Sequence, residues 1–243
     1  MAKAGPPQFV FIDSMSDLFG HWVADDEIRQ VFEAMRAGSH NTFQALTKNP
    51  RRYLKFAAEL PDNLWCGASS APDFFMGREL TRHQQEQYMH VALDTLGEIR
   101  KRTGRIVWMS VEPLSWDVAP ILDEHPALDW VIVGAASDGR RYIQPNAVEV
   151  RNLLRVLDRR GTAVFFKGNI RPTFENWDFG SGALNRWRED FPVRATGDGT
   201  DPAPAVARRQ RMAALHGWTL NTFMPVEPAV PAPQPVAQPS LFG

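Results

Sequence analysis

Two carboxylates and two hydroxyls fall within five residues at Asp13-Ser14-Met15-Ser16-Asp17, directly after the apolar run Phe9-Val10-Phe11-Ile12. The same order, an apolar run and then a polar group, returns at Thr47-Lys48, at Ser110 with Glu112, at Asp138 and at Lys167. A glutamate that faces two lysines can act as a general acid or base, or can hold the cationic group of a ligand. Asp13, Asp17, Lys48, Glu112 and Lys167 are therefore the candidate catalytic residues. Plainer readings stand beside that one. Lys48, Glu112 and Lys167 could merely neutralise one another across a rim, and Asp13 could cap a loop. Pro113 disfavours helix for the residue before it, which holds Glu112 extended.

Other chemistries find little support. The single cysteine, Cys66, lies in an apolar run with nothing beside it to lower its pKa, and reads as a buried, inert thiol. One cysteine allows neither an internal disulfide nor a cysteine-rich metal site. His83 and His90 are two turns apart on one helical stretch, too far to share a metal, and no metal site is expected. No phosphate loop, nucleophile elbow or dinucleotide glycine fingerprint is present.

The polar groups must be positioned by the elements around them. Phe9–Ile12 reads as a strand buried on both faces, as in a parallel sheet covered by helices. Further strands are expected at Thr42–Leu46, Asn63–Gly67, Ile106–Val111, Trp130–Val133 and Ala163–Phe166. Between them, Asp25 is expected to cap a helix running to about Ala37, with Ile28, Val31, Phe32 and Met35 inward and Gly38 as its stop. Asn49-Pro50 is expected to open a second helix, with asparagine as cap and proline in the first turn. A long helix from about Thr81 to Arg102 ends at Gly104. Another starts at Pro145, packs Val150, Leu153, Leu154 and Leu157, and stops at Gly161.

Strands alternating with helices imply right-handed crossovers and a parallel sheet. Six units are too few for a closed eight-stranded barrel. The expected fold is α/β, a partial TIM-like barrel of about six parallel strands with outer helices. An open doubly wound sheet is the alternative. In such a barrel the polar groups would sit at the C-terminal ends of the strands, where barrels build their active faces.

Composition sets broad limits. Hydrophobic residues make up 44% and charged residues 23%, an ordinary balance that can bury a core. No signal segment and no long apolar run are visible, so a soluble, cytoplasmic protein without membrane contact is expected. Residues 1–139 carry 13 Lys+Arg against 19 Asp+Glu, whereas residues 140–220 carry 14 against 8. The basic second half could face DNA, or its arginines could be solvated helix faces. Residues 1–221 are read as the barrel domain. Within it, 172–221 form a less regular covering region anchored by Trp177, Trp187 and Trp218. Residues 222–243 read as an extended Pro/Ala-rich linker.

Five phrases occur in order: Phe11-Ile12-Asp13-Ser14-Met15-Ser16-Asp17-Leu18-Phe19, His40 to Pro50, Ser110-Val111-Glu112-Pro113-Leu114, Asp129 to Gly134, and Phe165-Phe166-Lys167. Together they resemble a phage and bacterial family of unknown function of the "gp thirty-seven / gp sixty-eight" type, over residues 9–190. The resemblance implies a radical-SAM-like barrel, with cofactor contacts at Ser110, Gly134 and Ser137. Members of that family carry an N-terminal three-cysteine loop for a four-iron, four-sulfur cluster. This chain lacks the loop, so it should hold no such cofactor as given. S-adenosylmethionine and the cluster come into play only with an upstream cysteine unit. Ser69-Ser70-Ala71 and Ala135-Ala136-Ser137-Asp138 also depart from the family pattern.

The last residues, Gln238-Pro239-Ser240-Leu241-Phe242-Gly243, resemble the bacterial sliding-clamp-binding motif, with Gln238, Ser240, Leu241 and Phe242 as its contacts. Three functions compete. The first is a radical-SAM-like enzyme of DNA replication or repair, tethered to the clamp. The second is a catalytically silent adaptor barrel. The third is a cluster-independent lyase or hydrolase using Glu112 and the lysines.

Overall fold

Six of the apolar runs become strands of one parallel sheet: β1 (Phe9–Ile12), β2 (Thr42–Thr47), β3 (Leu64–Ser69), β4 (Val107–Val111), β5 (Trp130–Val133) and β6 (Ala163–Phe166). They lie side by side in chain order and form a half-barrel. Every neighbouring pair is parallel, with registers such as Phe11 opposite Gln44 and Ser69 opposite Ser110. The computed structural model describes residues 8–75, 78–126, 128–137, 142–176, 184 and 187–192. All of them belong to one unit, Met1–Thr200. Asp138, Trp177, Trp218 and the segment 222–243 lie outside them.

The helices follow local chemistry. In α1 (Asp25–Ala37), Ile28, Phe32 and Met35 recur at helical spacing and are buried. Its N-cap is Ala24 rather than the expected Asp25, and the Ala24 N–H donates to Glu27 Oε2 at 2.9 Å. Asp25 is instead the first helical residue. Its carboxylate takes hydrogen bonds from Lys55 and Arg52, in that order of effect, and they hold it below the usual carboxylate range. Those two partners sit on α2 (Arg52–Lys55), which starts later than the Asn49-Pro50 signal suggested. The reason is tertiary: the Asn49 side chain donates to the Phe19 carbonyl at 3.0 Å, outside its own turn.

The long α3 (Arg82–Thr103) opens with a capping box, in which Thr81 Oγ1 accepts from the Gln84 N–H and Gln84 Oε1 accepts from the Thr81 N–H. It closes on Gly104 in the left-handed region at φ 69°, where glycine meets no Cβ penalty. A short α4 (Ala119–Glu124), with Pro120 in its first turn, was not expected from the pattern. The Asn146 side chain caps α5 (Ala147–Arg160), one residue beyond the expected Pro145. A further helix, α6, spans Arg171–Asn176. Two-residue hairpins pair Phe74–Phe75 with Arg78–Glu79 and Ala136–Ser137 with Tyr142–Ile143.

The two faces of the sheet differ. Toward the helices point Ala45, Leu64, Cys66, Ala68, Val107, Met109, Val111, Val131, Val133, Val164 and Phe166, all part of the main core. Cys66 sits within that core, and burial pushes its thiol up to about 12. The folded chain is therefore expected to react with a thiol reagent at pH 8 only at the rate of its unfolding, and stoichiometrically once denatured. Rapid labelling of the native chain would contradict that placement.

The opposite, inner face is aromatic. Phe9, Phe11, Trp65, Trp108, Trp130, Phe165 and Phe191 touch in a continuous network, with Trp65–Trp130 at 5.8 Å and Trp108–Trp130 at 5.4 Å. The expectation that β1 is buried on both faces fails here. Phe9 and Phe11 are 41% and 44% exposed, because β1 is an edge strand of an open half-barrel. The far edge is better covered. The segment 188–190 runs antiparallel beside β6, bridging Glu189 to Phe165 and donating from the Asp190 N–H to Val164 O. Trp187 packs there on Phe166 and Phe174, as expected of an anchor. Among the described residues no helix is long and apolar enough to cross a membrane.

Candidate functional site

The residue after each strand falls at the same edge of a parallel sheet, and three such residues form one cluster. The Gly134 N–H continues the ladder to Val111 O at 3.1 Å, and the Lys167 N–H continues it to Val133 O at 2.9 Å. Glu112, Gly134 and Lys167 thus stand side by side beyond β4, β5 and β6. Lys167 Nζ donates to Glu112 Oε2 at 2.7 Å. Asn169 Nδ2 donates to Glu112 Oε1 at 3.3 Å and to the Ala135 carbonyl at 3.0 Å, while Asn169 Oδ1 accepts from the Ala135 N–H at 3.1 Å. Gln144 donates to the Asn169 carbonyl at 2.8 Å. The Glu112–Pro113 peptide is cis.

Gly134 has a steric role in this cluster. A Cβ there would stand 2.9 Å from Glu112 Cγ and 3.0 Å from Glu112 Oε1, so the glutamate side chain lies in the space the glycine leaves. The ion pair is only half withdrawn from water, with Glu112 24% and Lys167 47% exposed. At such exposure a pair adds no more than about 1 kcal/mol, so the lysine ammonium is exchangeable and the glutamate is held mainly by its neighbours.

Lys48 does not join this pair. It is exposed beyond β2, and its surroundings form a second group. Asp17 Oδ2 accepts from Thr47 Oγ1 at 3.0 Å and from the Lys48 N–H at 2.8 Å, and Asp17 Oδ1 accepts from the Phe19 N–H at 3.0 Å. Both oxygens of Asp17 are occupied in fastening the loop after β1 to the end of β2. Asp13 is exposed and turns the chain in the left-handed region at φ 57°, a conformation that aspartate tolerates, and its carbonyl accepts from the Ser16 N–H. Arg52 braces the same loop through the carbonyls of Gly20 and Val23.

Ser110 is buried on the inner face beside Ser69, one layer below Glu112. Ser137 is exposed on its hairpin, and Asp138 is outside the described residues. Asn169 and Gln144 were missed in the sequence. The only local signal was an amide two residues beyond the lysine that ends β6. Among the described residues, no group of histidines, cysteines, aspartates or glutamates could hold a metal ion. An iron-sulfur cluster does not fit the residues present, since it needs several thiolates and Cys66 points into the core.

Among solved structures, the HMG-CoA lyase of Brucella melitensis aligns over 81% of this chain and 73% of its own, at 15% identity and a TM-score of 0.36. No curated protein matches the chain. A family model described as "Protein of unknown function (DUF5131)" matches residues 2–172, most of the half-barrel. The chain, with its six-stranded half-barrel and glutamate-lysine rim, belongs to that family.

Proposed function

We propose that the half-barrel is of radical-SAM-like descent and binds a small molecule at the rim through Glu112, within a protein of DNA replication or repair. The observation that carries the reading is Glu112 itself. Its carboxylate is oriented by Asn169, seated on Gly134 and occupied by the Lys167 ammonium at 2.7 Å. That ammonium stands where a ligand's cationic group would sit, and the weak, exposed pair yields to a better partner. Lys167, once released, is free to meet a carboxylate on the same ligand. An α-amino acid group such as that of S-adenosylmethionine presents both charges. The one cysteine of this sequence, buried Cys66, does not supply the thiolates of an iron-sulfur cluster. The sequence features that favour the DNA setting are the basic second half and the tail motif at Gln238, Ser240, Leu241 and Phe242. The proposed partner is the bacterial sliding clamp.

The test is calorimetric titration of the full chain with S-adenosylmethionine, alongside Glu112→Ala. Binding is expected in the wild type, and a weakening of about tenfold or more in the variant, as for a lost charged hydrogen bond. Equal binding by both chains would remove Glu112 from the reading.

A further inference from the structure

Lys48 opens onto a cavity of about 450 Å³, lined with Asn49, Pro50 and Arg51 from the loop after β2 and with Gln84, Gln87, Tyr88 and Val91 from α3. Its volume is in the range of small-molecule sites, roughly 300–1,000 Å³. Two features of the lining single it out. Among the described residues, no carboxylate pairs with Lys48 or Arg51, although ten of the fourteen other described arginines have one. The Tyr88 hydroxyl oxygen is buried and has no hydrogen-bond partner among the described residues. Burial, and after it the charge of Asp17, raises the Tyr88 pKa well above the usual tyrosine range. The hydroxyl therefore stays protonated and is a donor in want of an acceptor. Buried donors are rarely left unsatisfied in native proteins.

The chemistry of the lining is one-sided. An ammonium, a guanidinium and the amides of Asn49, Gln84 and Gln87 line a common space, with the Tyr88 O–H buried behind it. The nearby carboxylate, Asp17, keeps its charge, but its oxygens are turned to Thr47, the Lys48 N–H and the Phe19 N–H, and the two cations Lys48 and Arg51 outweigh it. We infer that this cavity is a second site, distinct from the Glu112 rim, for a small oxyanion, a phosphate or a carboxylate. Lys48 and Arg51 supply the charge, and the Tyr88 hydroxyl, closed to solvent in this structure, donates once a bound oxyanion draws the side chain open. A phosphate and a carboxylate share this chemistry, and Arg51 suits either through its forked donors. The inference does not rest on Glu112: it stands or falls with a different ligand and different residues.

The experiment titrates the full chain with pyrophosphate and, separately, with malonate, at constant ionic strength. At least one probe is expected to bind with a Kd of about 1 mM or tighter. Saturation by pyrophosphate alone identifies the phosphate class, and saturation by malonate alone identifies the carboxylate class. Lys48→Met and Arg51→Met are each expected to weaken the binding about tenfold, and Tyr88→Phe severalfold. The ligand-free Tyr88→Phe chain should melt at or above the wild-type temperature, because its hydroxyl makes no bond to lose. Absence of binding by both probes would overturn the inference, as would affinities unchanged in Lys48→Met and Arg51→Met. A lowered melting temperature of Tyr88→Phe without ligand would overturn the part given to the hydroxyl.

Discussion

Gly67→Ala is expected to cost the fold about 3 kcal/mol, the upper end for overpacking a core, and to lower the melting temperature by roughly 6–12 °C. Gly67 lies in β3 on the inner face, and a Cβ there would stand 2.2 Å from Trp108 Cε2 and 2.6 Å from Trp108 Nε1. The indole cannot retreat. It is fully buried, in contact with Trp130 and Phe11, and its Nε1 donates to the Trp65 carbonyl at 3.4 Å. Displacing it would disturb the aromatic network across the face.

Two other glycines serve as controls. The nearest atoms to a Cβ in Gly134→Ala belong to the Glu112 side chain, so its expected effect is on ligand binding at the rim, with little loss of stability. Gly97→Ala, in the middle of α3, meets Pro126 at an ordinary 3.4 Å and should stabilise the helix by up to about 1 kcal/mol. Thermal unfolding of the three variants checks the set. A Gly67→Ala chain that melts with the wild type would show that the inner face repacks freely.

The largest expected loss of function belongs to the tail. Leu241→Ala/Phe242→Ala is expected to weaken binding to purified bacterial sliding clamp on the order of a hundredfold, since two apolar anchors would carry most of a short peptide's affinity. Gln238 would set the register by polar contacts, with Ser240 between it and the anchors. Wild-type affinity should be on the order of micromolar. Its effect would be tethering: six prolines between Pro225 and Pro239 would favour an extended linker, at about 3 Å per residue, and would raise the barrel's concentration near clamp-loaded DNA. These residues lie outside the described part of the structure, and the prediction stands on the sequence motif. The assay compares the full chain with the double variant. No binding by the wild type, or equal binding by both, would remove the DNA-replication reading and leave only the barrel.

What the sequence determined by itself is the six strands of the sheet, the longer helices and the edge on which the polar groups fall. Strand bounds at Phe9–Ile12, Trp130–Val133 and Ala163–Phe166 match the structure, because continuous β-branched and aromatic runs between turn signals leave few alternatives. Stops at Gly104 and Gly161 were legible because a left-handed cap is a local requirement. Parallel topology then places Asp13, Lys48, Glu112, Gly134 and Lys167 at the C-terminal ends of strands without further information.

Which of those groups meet was decided only by the tertiary structure. Glu112 and Lys167 are 55 residues apart and pair, while Lys48, at the same rim, turns to a cavity beside α3. The exposure of β1 follows from an edge left open, which no periodicity encodes. Asn169 and Tyr88 have ordinary neighbours in the chain. Each acquires its role from an element packed across from it: the Ala135 backbone for one, the Lys48–Arg51 loop for the other. Local propensities act over a few residues, whereas hydrogen-bond partners and buried vacancies arise from the closure of loops tens of residues long. The charged positions of the rim were therefore in the sequence, and its pairings and its neutral partners Asn169, Gln144 and Tyr88 were not.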